Sequence, residues 1–256
     1  MEKLDEIHVD FRGLRIQKLH DSHIKQVQKL YELYLLPTYI QRLNLPYTAT
    51  DHEQIRKYDF IEEILNIDNV KSERYRDHSV VVLDQDNRVV ACSFNYLVNE
   101  KQFEEEFVME NLRLSQDQSL AHDHRVYLKH QYDIWQGLDF FRKYNLQTVL
   151  YQETMIIHPE YRHKGMSGFL MRYTKHIFAD QCDAVLNDSQ IPMEILIKAT
   201  HTKNPMPGSI SLREIVSYDD FVVHVALFIH DKNRLQHYGN QEDRKDFQLE
   251  NVQSKL

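Results

Sequence analysis

Apolar and polar residues follow first a strand period and then a helix period in the N-terminal part of the chain. Residues 13–19 alternate apolar and polar positions, which predicts a first β-strand. Beyond them, apolar residues recur at helical spacing from Asp21, a residue type that favours the N-cap, as far as Pro37. A second helix is predicted to begin at Thr50, because Thr50 and Glu53 have the spacing of a capping box.

The clearest β-hairpin of the sequence follows these helices. Residues 79–83 and 88–97 are rich in valine and aromatic side chains, and the polar residues 84–87 between them are typical of a turn. Residues 101–145 are polar and helical in character, and their last part, 126–144, places aromatic residues at helical spacing. A helical region is therefore predicted between the hairpin and the next strand.

The C-terminal half alternates strands with helices. The predicted elements are a strand at 146–157, a tight loop at 158–168, an amphipathic helix at 169–182, a strand at 195–200, a helix at 209–218, a strand at 221–230 and a final edge strand or tail at 246–253. A hairpin that precedes a strand–helix–strand crossover indicates an α/β protein with a central mixed sheet flanked by helices. With no repeat and no linker in view, we expect one domain over residues 1–256, with its core at about 14–230 and a final strand or tail at 231–256.

Composition and charge narrow the choice of partner. The chain is 42% hydrophobic and 27% charged, as is usual for a globular protein, and its formal net charge of -8 argues against nucleic acid as a partner. Neither a secretory signal nor an apolar stretch long enough to span a membrane is present, so we expect a cytoplasmic protein. The two cysteines and fifteen histidines show no zinc-site spacing, and no metal is expected.

The stretch from Glu153 to Gly168 points to a specific chemistry. A predicted strand runs into a short glycine-containing loop that opens an amphipathic helix, so unpaired backbone N–H groups meet the positive end of a helix dipole. Such a point favours pyrophosphate; Gly165 lets the backbone approach an anion, and the small Ser167 does not block it. The loop patterns of dinucleotide-binding and P-loop proteins are absent. The alternative is an ordinary strand–loop–helix corner with a helix N-cap.

The run 162–167, Arg-His-Lys-Gly-Met-Ser, resembles the acetyl-CoA signature of the GNAT N-acetyltransferases, Arg/Gln-x-x-Gly-x-Gly/Ala, with a serine at its third small position. The lead-in 157–162 is also similar to that family's strand-to-loop sequence, and the element order over 14–230 resembles its core. The resemblance implies the GNAT acyl-CoA N-acyltransferase fold and acetyl-CoA as cosubstrate. The coenzyme-binding residues that it implies are Met155, Ile156, Ile157, Arg162, His163, Lys164, Gly165, Met166, Ser167 and Gly168.

The same resemblance implies two catalytic residues. Glu153 lies nine residues before Arg162, the spacing at which related enzymes carry a strand carboxylate that acts as base or binds the amine. Tyr218 is the tyrosine nearest to the position of the family's general acid, on the helix predicted at 209–218. Glu153 and Tyr218 are therefore the expected catalytic pair, although Glu153 is also a residue type found on strand surfaces.

The acceptor side resembles one branch of the family. The aromatic segment 135–144 is similar to that of invertebrate arylalkylamine N-acetyltransferases, which usually carry a catalytic Glu-Pro pair after the first helix. Here a leucine precedes Pro37, and Glu32 is the nearest carboxylate. Tyr31, Glu32 and Tyr34 are the residues expected to bind the acceptor, while tyrosines at this spacing are also common in plain cores.

These features predict an acetyl-CoA-dependent N-acetyltransferase that acetylates a primary amine, with a small arylalkylamine as the first choice. Two alternatives stay open. One keeps the fold and changes the acceptor to a polyamine or a protein amine. The other is a catalytically silent protein that binds acyl-CoA or an interaction partner, which the missing Glu-Pro pair and the displaced tyrosine would suit.

Overall fold

A seven-stranded mixed sheet organises the chain. The structure is a computed structural model that describes residues 13–35, 75, 77–120, 122–162, 165–192, 209–216 and 221–230. The strands lie in the order β1-β2-β3-β4-β5-β7-β6. Their bounds are Arg15–Lys18 (β1), Val80–Leu83 (β2), Val89–Asn99 (β3), Thr148–Ile157 (β4), Ala184–Pro192 (β5), Ile210–Val216 (β6) and Phe221–Ile229 (β7).

Helices of several kinds connect the strands. The α-helices are Asp21–Leu30 (α1), Glu100–Gln102 (α2), Glu110–Ser115 (α3), His122–Trp135 (α4), Phe140–Lys143 (α5) and Met166–Ile177 (α6). Two π-helices, Tyr31–Leu35 (π1) and Phe103–Met109 (π2), continue α1 and α2, and a 3₁₀ turn covers Pro159–Tyr161. Helix α6 is the crossover between β4 and β5, which form the parallel pair of the sheet. The pairs β1–β2, β2–β3, β3–β4, β5–β7 and β6–β7 are antiparallel.

Each face of the sheet carries its own hydrophobic core. On one face, helices α1, π1, π2 and α4 cover an aromatic cluster that includes Phe107, Trp135 and Tyr151. On the other, α6 packs Met166 and Leu170 against the neighbouring strands. We call these the aromatic face and the α6 face. All four residues of β2 are buried, because apolar strands covered on both sides have no solvent-facing positions.

Several predicted elements are confirmed. The hairpin of β2 and β3 turns at 84–87, and the strands at 146–157 and 221–230 correspond to β4 and β7. Helix α1 also forms where expected, but its N-cap is His20, one residue earlier than predicted, and the backbone N–H of His20 is held by the side chain of His23. The mixed α/β sheet flanked by helices is thus confirmed.

The prediction of a helix at 209–218 is wrong, because Ile210–Val216 forms strand β6 instead. This strand pairs with β7, and a bulge between Ser211 and Arg213 inserts an extra residue. The bulge disturbs the two-residue alternation, so the apolar residues of the segment have neither a clean strand period nor a clean helix period. The role predicted for Tyr218 depends on that helix, and Tyr218 itself lies outside the described residues.

Other boundaries and elements also differ from the prediction. The loop predicted to end at Gly168 ends earlier, since α6 begins at Met166, and α6 stops at Ile177, short of the predicted end at residue 182. The helix predicted at 126–144 is two helices, because Gly137 lies between them with a φ of 69°. Strand β5 was not predicted at all. The elements predicted from Thr50, at 195–200 and at 246–253 lie outside the described residues.

Candidate active site at the opening between β4 and β5

The parallel strands β4 and β5 separate part of the way along the sheet. Their pairing ends at Gln152–Asn187, although β4 continues to Ile157 and β5 to Pro192. Beyond this point β4 remains paired with β3, and β5 remains paired with β7. The edges that face each other therefore present backbone N–H and C=O groups with which an extended ligand can pair. We call this gap the β4–β5 opening.

A row of buried polar side chains crosses the sheet where the opening begins. The Asn187 side-chain amide donates to the carbonyl oxygen of Gln152 at 3.3 Å, and the Gln152 amide donates to Oγ of Ser93 at 3.1 Å. The Ser93 hydroxyl in turn donates to Oδ1 of Asn95 at 3.0 Å. Because buried polar groups need such partners, this row ties β3, β4 and β5 together at one level. It therefore fixes where the opening starts.

Glu153 occupies a β-bulge of β4 at the edge of the opening. Gln152 pairs with Asn95 and Thr154 pairs with Phe94, so Glu153 is the extra residue of β4. The side chain is half-buried, and its Oε2 atom is inaccessible to solvent. A bulge redirects a side chain without ending the strand, and bulges are frequent beside active sites. The carboxylate that the sequence singled out thus lies where β4 and β5 part.

Tyr151 and Asp188 form a hydrogen-bonded pair across the same opening. The Tyr151 hydroxyl donates to Oδ1 of Asp188 at 2.8 Å. The Tyr151 ring is buried, with ring centroids of Phe107 and Tyr96 at 4.8 and 5.4 Å. Burial, together with the charges of Asp188 and Glu153, raises the pKa of Tyr151 well above its usual value. Tyr151 therefore keeps its proton and remains a hydrogen-bond donor to Asp188 throughout the neutral range.

Burial also changes the ionisation of Asp188. Removal from water raises the pKa of Asp188 to about 7, against the lowering effect of the Tyr151 hydrogen bond. Asp188 is the first residue of β5 beyond the last pair with β4, and Glu153 is the first residue of β4 beyond it. The two carboxyl groups thus border the opening from its two sides.

The N-terminus of α6 supplies a group of backbone amides on the other face of the sheet. Gly165 is the N-cap residue in the left-handed conformation, with φ of 82°, and it has no side chain of its own with which to cap the helix. The first backbone hydrogen bond of the helix runs from Phe169 N–H to Gly165 O at 3.0 Å, so the amides of Met166, Ser167 and Gly168 precede it. Ser167 is exposed, whereas Met166 is buried. This arrangement suits a phosphate group.

Arg162 and Tyr34 connect the loop between β4 and α6 to helix π1. The Arg162 guanidinium donates from Nε to the carbonyl oxygen of Ile157 at 2.9 Å and lies 5.9 Å from the centre of the Tyr34 ring, a cation–π contact. The Tyr34 hydroxyl lies 3.2 Å from Nε2 of His158, within hydrogen-bond distance. Helix π1 contacts β4 on the aromatic face. The segment expected to bind the acceptor and the loop expected to bind the coenzyme are therefore in direct contact.

The remaining predicted site residues differ in their environments. Tyr31 is 1% exposed and packs within the aromatic core, an environment that favours a packing role over the predicted contact with the acceptor. Glu32 is half-buried and accepts a hydrogen bond from the side chain of Gln28. Met155 and Ile157 pack on the α6 face, and Ile156 is buried in the aromatic core. His163 and Lys164 lie outside the described residues.

Sequence reasoning missed Asp188 and Tyr151. Three successive polar residues, Asn187, Asp188 and Ser189, are typical of a turn, and the segment was therefore not predicted to be a strand. Their polarity has another cause, since Asn187 joins the buried polar row and Asp188 faces the opening. An acidic residue two positions after the apolar run 184–186 is the one signal in the sequence that could have identified the pair.

The described residues include neither a candidate membrane span nor a candidate metal site. No helix within the described ranges is long and apolar enough to cross a membrane. In the same part of the chain, no group of three or more histidine, cysteine, aspartate and glutamate side chains is placed to hold a metal ion.

Solved structures of N-acetyltransferases share this fold. The chain is similar to arylalkylamine N-acetyltransferase 2 from Aedes aegypti, with a TM-score of 0.61 and 9% identity over 85% of this chain and 99% of that one. It is similar to a Drosophila melanogaster polyamine N-acetyltransferase that forms N-acetylagmatine, with a TM-score of 0.55 and 12% identity over 85% and 100% of the two chains. A mosquito arylalkylamine N-acetyltransferase like 5b gives a TM-score of 0.58 and 12% identity over the same shares.

Sequence comparisons add no relative. No family model matches the chain, and no curated protein sequence matches it significantly. The structural likenesses, together with the seven-stranded mixed sheet, show that the chain has the GNAT acetyltransferase fold. At 9–12% identity they show the fold alone, and function must be argued from the residues of the site.

Proposed function

We propose that this protein is an acetyl-CoA-dependent N-acetyltransferase that acetylates a small primary amine, with an arylalkylamine as the first choice of acceptor. The observation that carries the proposal is the β4–β5 opening, which has an amide-rich helix N-terminus on one face of the sheet and two carboxyl groups at its border. A thioester lying in such an opening can be reached by an amine from the aromatic face.

The residues on the α6 face fit the coenzyme by their donor chemistry. Three backbone amides precede the first hydrogen bond of α6, and Gly165 places them without a side chain in the way. These amides and the exposed guanidinium of Arg162 would hold the pyrophosphate, while the free edge of β4 near Met155 would pair with the pantetheine amides. The coenzyme supplies the activated acetyl group. The chain's part is to bind it and to orient the thioester toward the opening.

The aromatic face is the side from which the amine would bind and react. An alkylamine is protonated at neutral pH and must lose a proton before it can attack a carbonyl carbon. Glu153 lies at the opening and would bind the ammonium group, and a backbone N–H of β4 beyond the bulge would stabilise the oxyanion. Tyr34 and Glu32 on π1, which contacts β4, would line the entrance from this face, where an aromatic ring on the acceptor could contact the Tyr34 ring.

Binding of the coenzyme is the first experiment. Acetyl-CoA at a hundred times its Kd should stabilise the folded protein by about 2.7 kcal/mol, seen as a rise in the melting temperature. Adenosine 3′,5′-bisphosphate, which lacks both the pantetheine arm and one phosphate of the pyrophosphate, is the control and should give a smaller rise. A melting temperature that acetyl-CoA leaves unchanged contradicts the proposal.

Transfer is the second experiment. Tyramine, dopamine, serotonin and spermidine are incubated with acetyl-CoA, and the release of the coenzyme thiol is followed together with the mass of the acetylated amine. We expect turnover with an arylalkylamine. Turnover with spermidine alone moves the assignment to a polyamine acceptor on the same site. Coenzyme binding without acetylation of any amine supports a silent acyl-CoA-binding protein instead.

A further inference from the structure

The position of Asp188 in the sheet is defined by pairing on one side and by the opening on the other. Asp188 pairs with Val225 of β7, which holds its backbone in the strand. Its predecessor Asn187 makes the last pair with β4, so Asp188 is the first residue of β5 that borders the opening. Its side chain lies on the aromatic face, because it accepts the hydrogen bond of Tyr151, whose ring belongs to that core.

Tyr151 holds this carboxyl group in one orientation. The Tyr151 ring lies against Phe107, Trp135 and Tyr96, with centroid distances of 4.8, 5.7 and 5.4 Å. A ring packed against three aromatic neighbours has little rotational freedom, so its hydroxyl is a fixed donor. The bond to Oδ1 of Asp188 therefore orients the carboxyl group, and Asp188 is still half-buried and not sealed within the core.

We propose that Asp188, oriented by Tyr151, is the general base that removes a proton from the ammonium group of the acceptor at the β4–β5 opening. The inference rests on the proposed acetyl transfer and adds a catalytic residue to it. In this arrangement Glu153, at the bulge on the opposite border, binds the ammonium group by its charge, and Tyr151 is a positioning residue.

The proton balance of the step is complete. Asp188 takes one proton from the R–NH₃⁺ group, and the neutral amine uses its lone pair to form the C–N bond with the thioester carbonyl carbon. The C–S bond then breaks with its electron pair on sulfur. The second nitrogen proton is transferred to that thiolate, and the proton on Asp188 passes to solvent. The products are the N-acetylamine, the free coenzyme thiol and one proton, and no oxidant or metal is required.

The electrostatics of the site agree with this role. Among the described residues, Tyr151 donates its hydrogen bond to Asp188, and the nearby titratable groups Glu153 on β4 and Tyr96 on β3 act electrostatically on Tyr151. The partner of Asp188 on β7, Val225, and the neighbouring Val223 are uncharged. Burial raises the pKa of Asp188 to about 7, close to neutral pH, where a base is both ionised in part and strong enough to take a proton. A surface carboxylate with an ordinary pKa near 4 would be a weaker base.

The pH dependence follows from this pKa. Below pH 7 Asp188 is protonated and cannot accept a proton, so kcat/KM should fall on the acid side with an apparent pKa of about 7. The hydrogen bond from Tyr151 favours the charged carboxylate and so lowers the pKa. Removing this hydrogen bond in Tyr151→Phe should move the acid-side fall of kcat/KM, here called the acid limb, to higher pH.

The decisive experiment compares three variants with the wild type, using the amine of the panel that gives the highest turnover. Asp188→Asn should lower kcat/KM by about 10² or more and abolish the acid limb, since an amide cannot accept the proton. Glu153→Gln should raise KM for the amine and keep the acid limb. Asp139→Asn, the matched control at an exposed aspartate whose side chain makes no capping bond, should behave as the wild type.

Each outcome has one reading. The inference is overturned if Asp188→Asn keeps kcat/KM within about threefold of the wild type and keeps the acid limb. It is also overturned if Glu153→Gln alone removes the acid limb. Either result leaves the proposed function intact. A wild type that binds acetyl-CoA and acetylates no amine overturns the proposed function and the inference together. If Asp188→Asn fails to fold, the pH profile of kcat/KM for Tyr151→Phe distinguishes the two cases. A shift of its acid limb to higher pH supports Asp188 as the base, and an unshifted acid limb refutes it.

Discussion

Asp84 holds the turn between β2 and β3 with both oxygens of its carboxylate. Oδ1 accepts from the backbone N–H groups of Asp86 and Arg88 at 2.9 Å each, and Oδ2 accepts from Nε of Arg88 at 2.7 Å. Burial alone would raise the pKa of Asp84, but the hydrogen bonds from Arg88 and Asp86 outweigh it and lower the pKa below its usual value. The charged form therefore stabilises the hairpin.

Replacement of Asp84 tests this turn. We expect Asp84→Ala to lower the free energy of unfolding by about 1–3 kcal/mol at neutral pH, because two backbone donors and a guanidinium lose their acceptor. The folded state holds the charged form of Asp84, so its contribution is full above the ordinary aspartate pKa of about 4 and is lost as pH falls below it. Denaturant unfolding at pH 7 and at pH 3 measures both effects.

Asp86→Ala is the control for that measurement. Asp86 is 79% exposed and reaches only the edge of the Arg88 guanidinium, at 3.8 Å. Its loss should change the free energy of unfolding by less than about 0.5 kcal/mol. Equal destabilisation by the two variants would contradict the account of Asp84.

Tyr34 offers a second test at the residue scale. Its hydroxyl lies 3.2 Å from Nε2 of His158 and joins π1 to the end of β4. We expect Tyr34→Phe to lower the free energy of unfolding by about 1 kcal/mol, the usual net worth of such a hydrogen bond. Tyr132→Phe is the control: Tyr132 is also half-buried, its hydroxyl makes no hydrogen bond within the described part of the chain, and its loss should leave the free energy of unfolding unchanged. Matching melting temperatures for the two variants would show that the Tyr34 bond contributes nothing.

At the scale of elements, the corner between β4 and α6 depends on a backbone conformation that favours glycine. Gly165 has φ of 82°, and Gly137, between α4 and α5, has φ of 69°. A Cβ built on either residue meets nothing within 4 Å. An alanine at either position is therefore strained by its backbone alone and crowds no neighbour.

These two glycines allow a matched comparison. We expect Gly165→Ala and Gly137→Ala each to destabilise the fold by about 1–2 kcal/mol, the cost of a left-handed conformation for a residue with a Cβ. Only Gly165→Ala should also weaken acetyl-CoA binding, since it alters the turn that presents the amides of α6. Isothermal titration with acetyl-CoA separates the effects. An equal loss of affinity in both variants would mean that stability, and not the turn, controls binding.

Across the whole molecule, both cysteines belong to packed cores. Cys92 lies in the aromatic core and Cys182 on the α6 face. Burial raises the pKa of the Cys92 thiol far above its usual range and that of Cys182 to about 12. Neither thiol ionises in the folded protein at neutral pH. Since the chain has two cysteines, the folded protein therefore offers no reactive thiolate of its own.

Thiol labelling therefore reports global unfolding. We expect Ellman's reagent to find almost no reactive thiol in the native protein at pH 8, and two per chain in concentrated guanidinium chloride. Labelling at low denaturant should proceed at the rate of unfolding. Rapid labelling of the native protein would contradict the burial of both residues. The silence of the protein's own thiols also allows the same reagent to measure released coenzyme.

Features set by near neighbours in the chain were predictable. The valine-rich strands with a polar turn at 84–87, the apolar period of α1, and a glycine at the corner before α6 all report conformations decided within a few residues. The resemblance of that corner to a coenzyme loop also came from local sequence. Strand β6 was mistaken for a helix because its pairing with β7 and its bulge are long-range features that local periodicity does not contain.

The sequence by itself therefore determined the sheet-and-helix class, the loop at Gly165 and the candidate carboxylate Glu153. Only the tertiary structure decided that Asp188 and Tyr151, 37 residues apart, meet at the border of the same opening. The physical reason is that parallel pairing of β4 with β5 across the α6 crossover sets which residues face each other. That register depends on packing on both faces of the sheet, and no stretch of neighbouring residues encodes it.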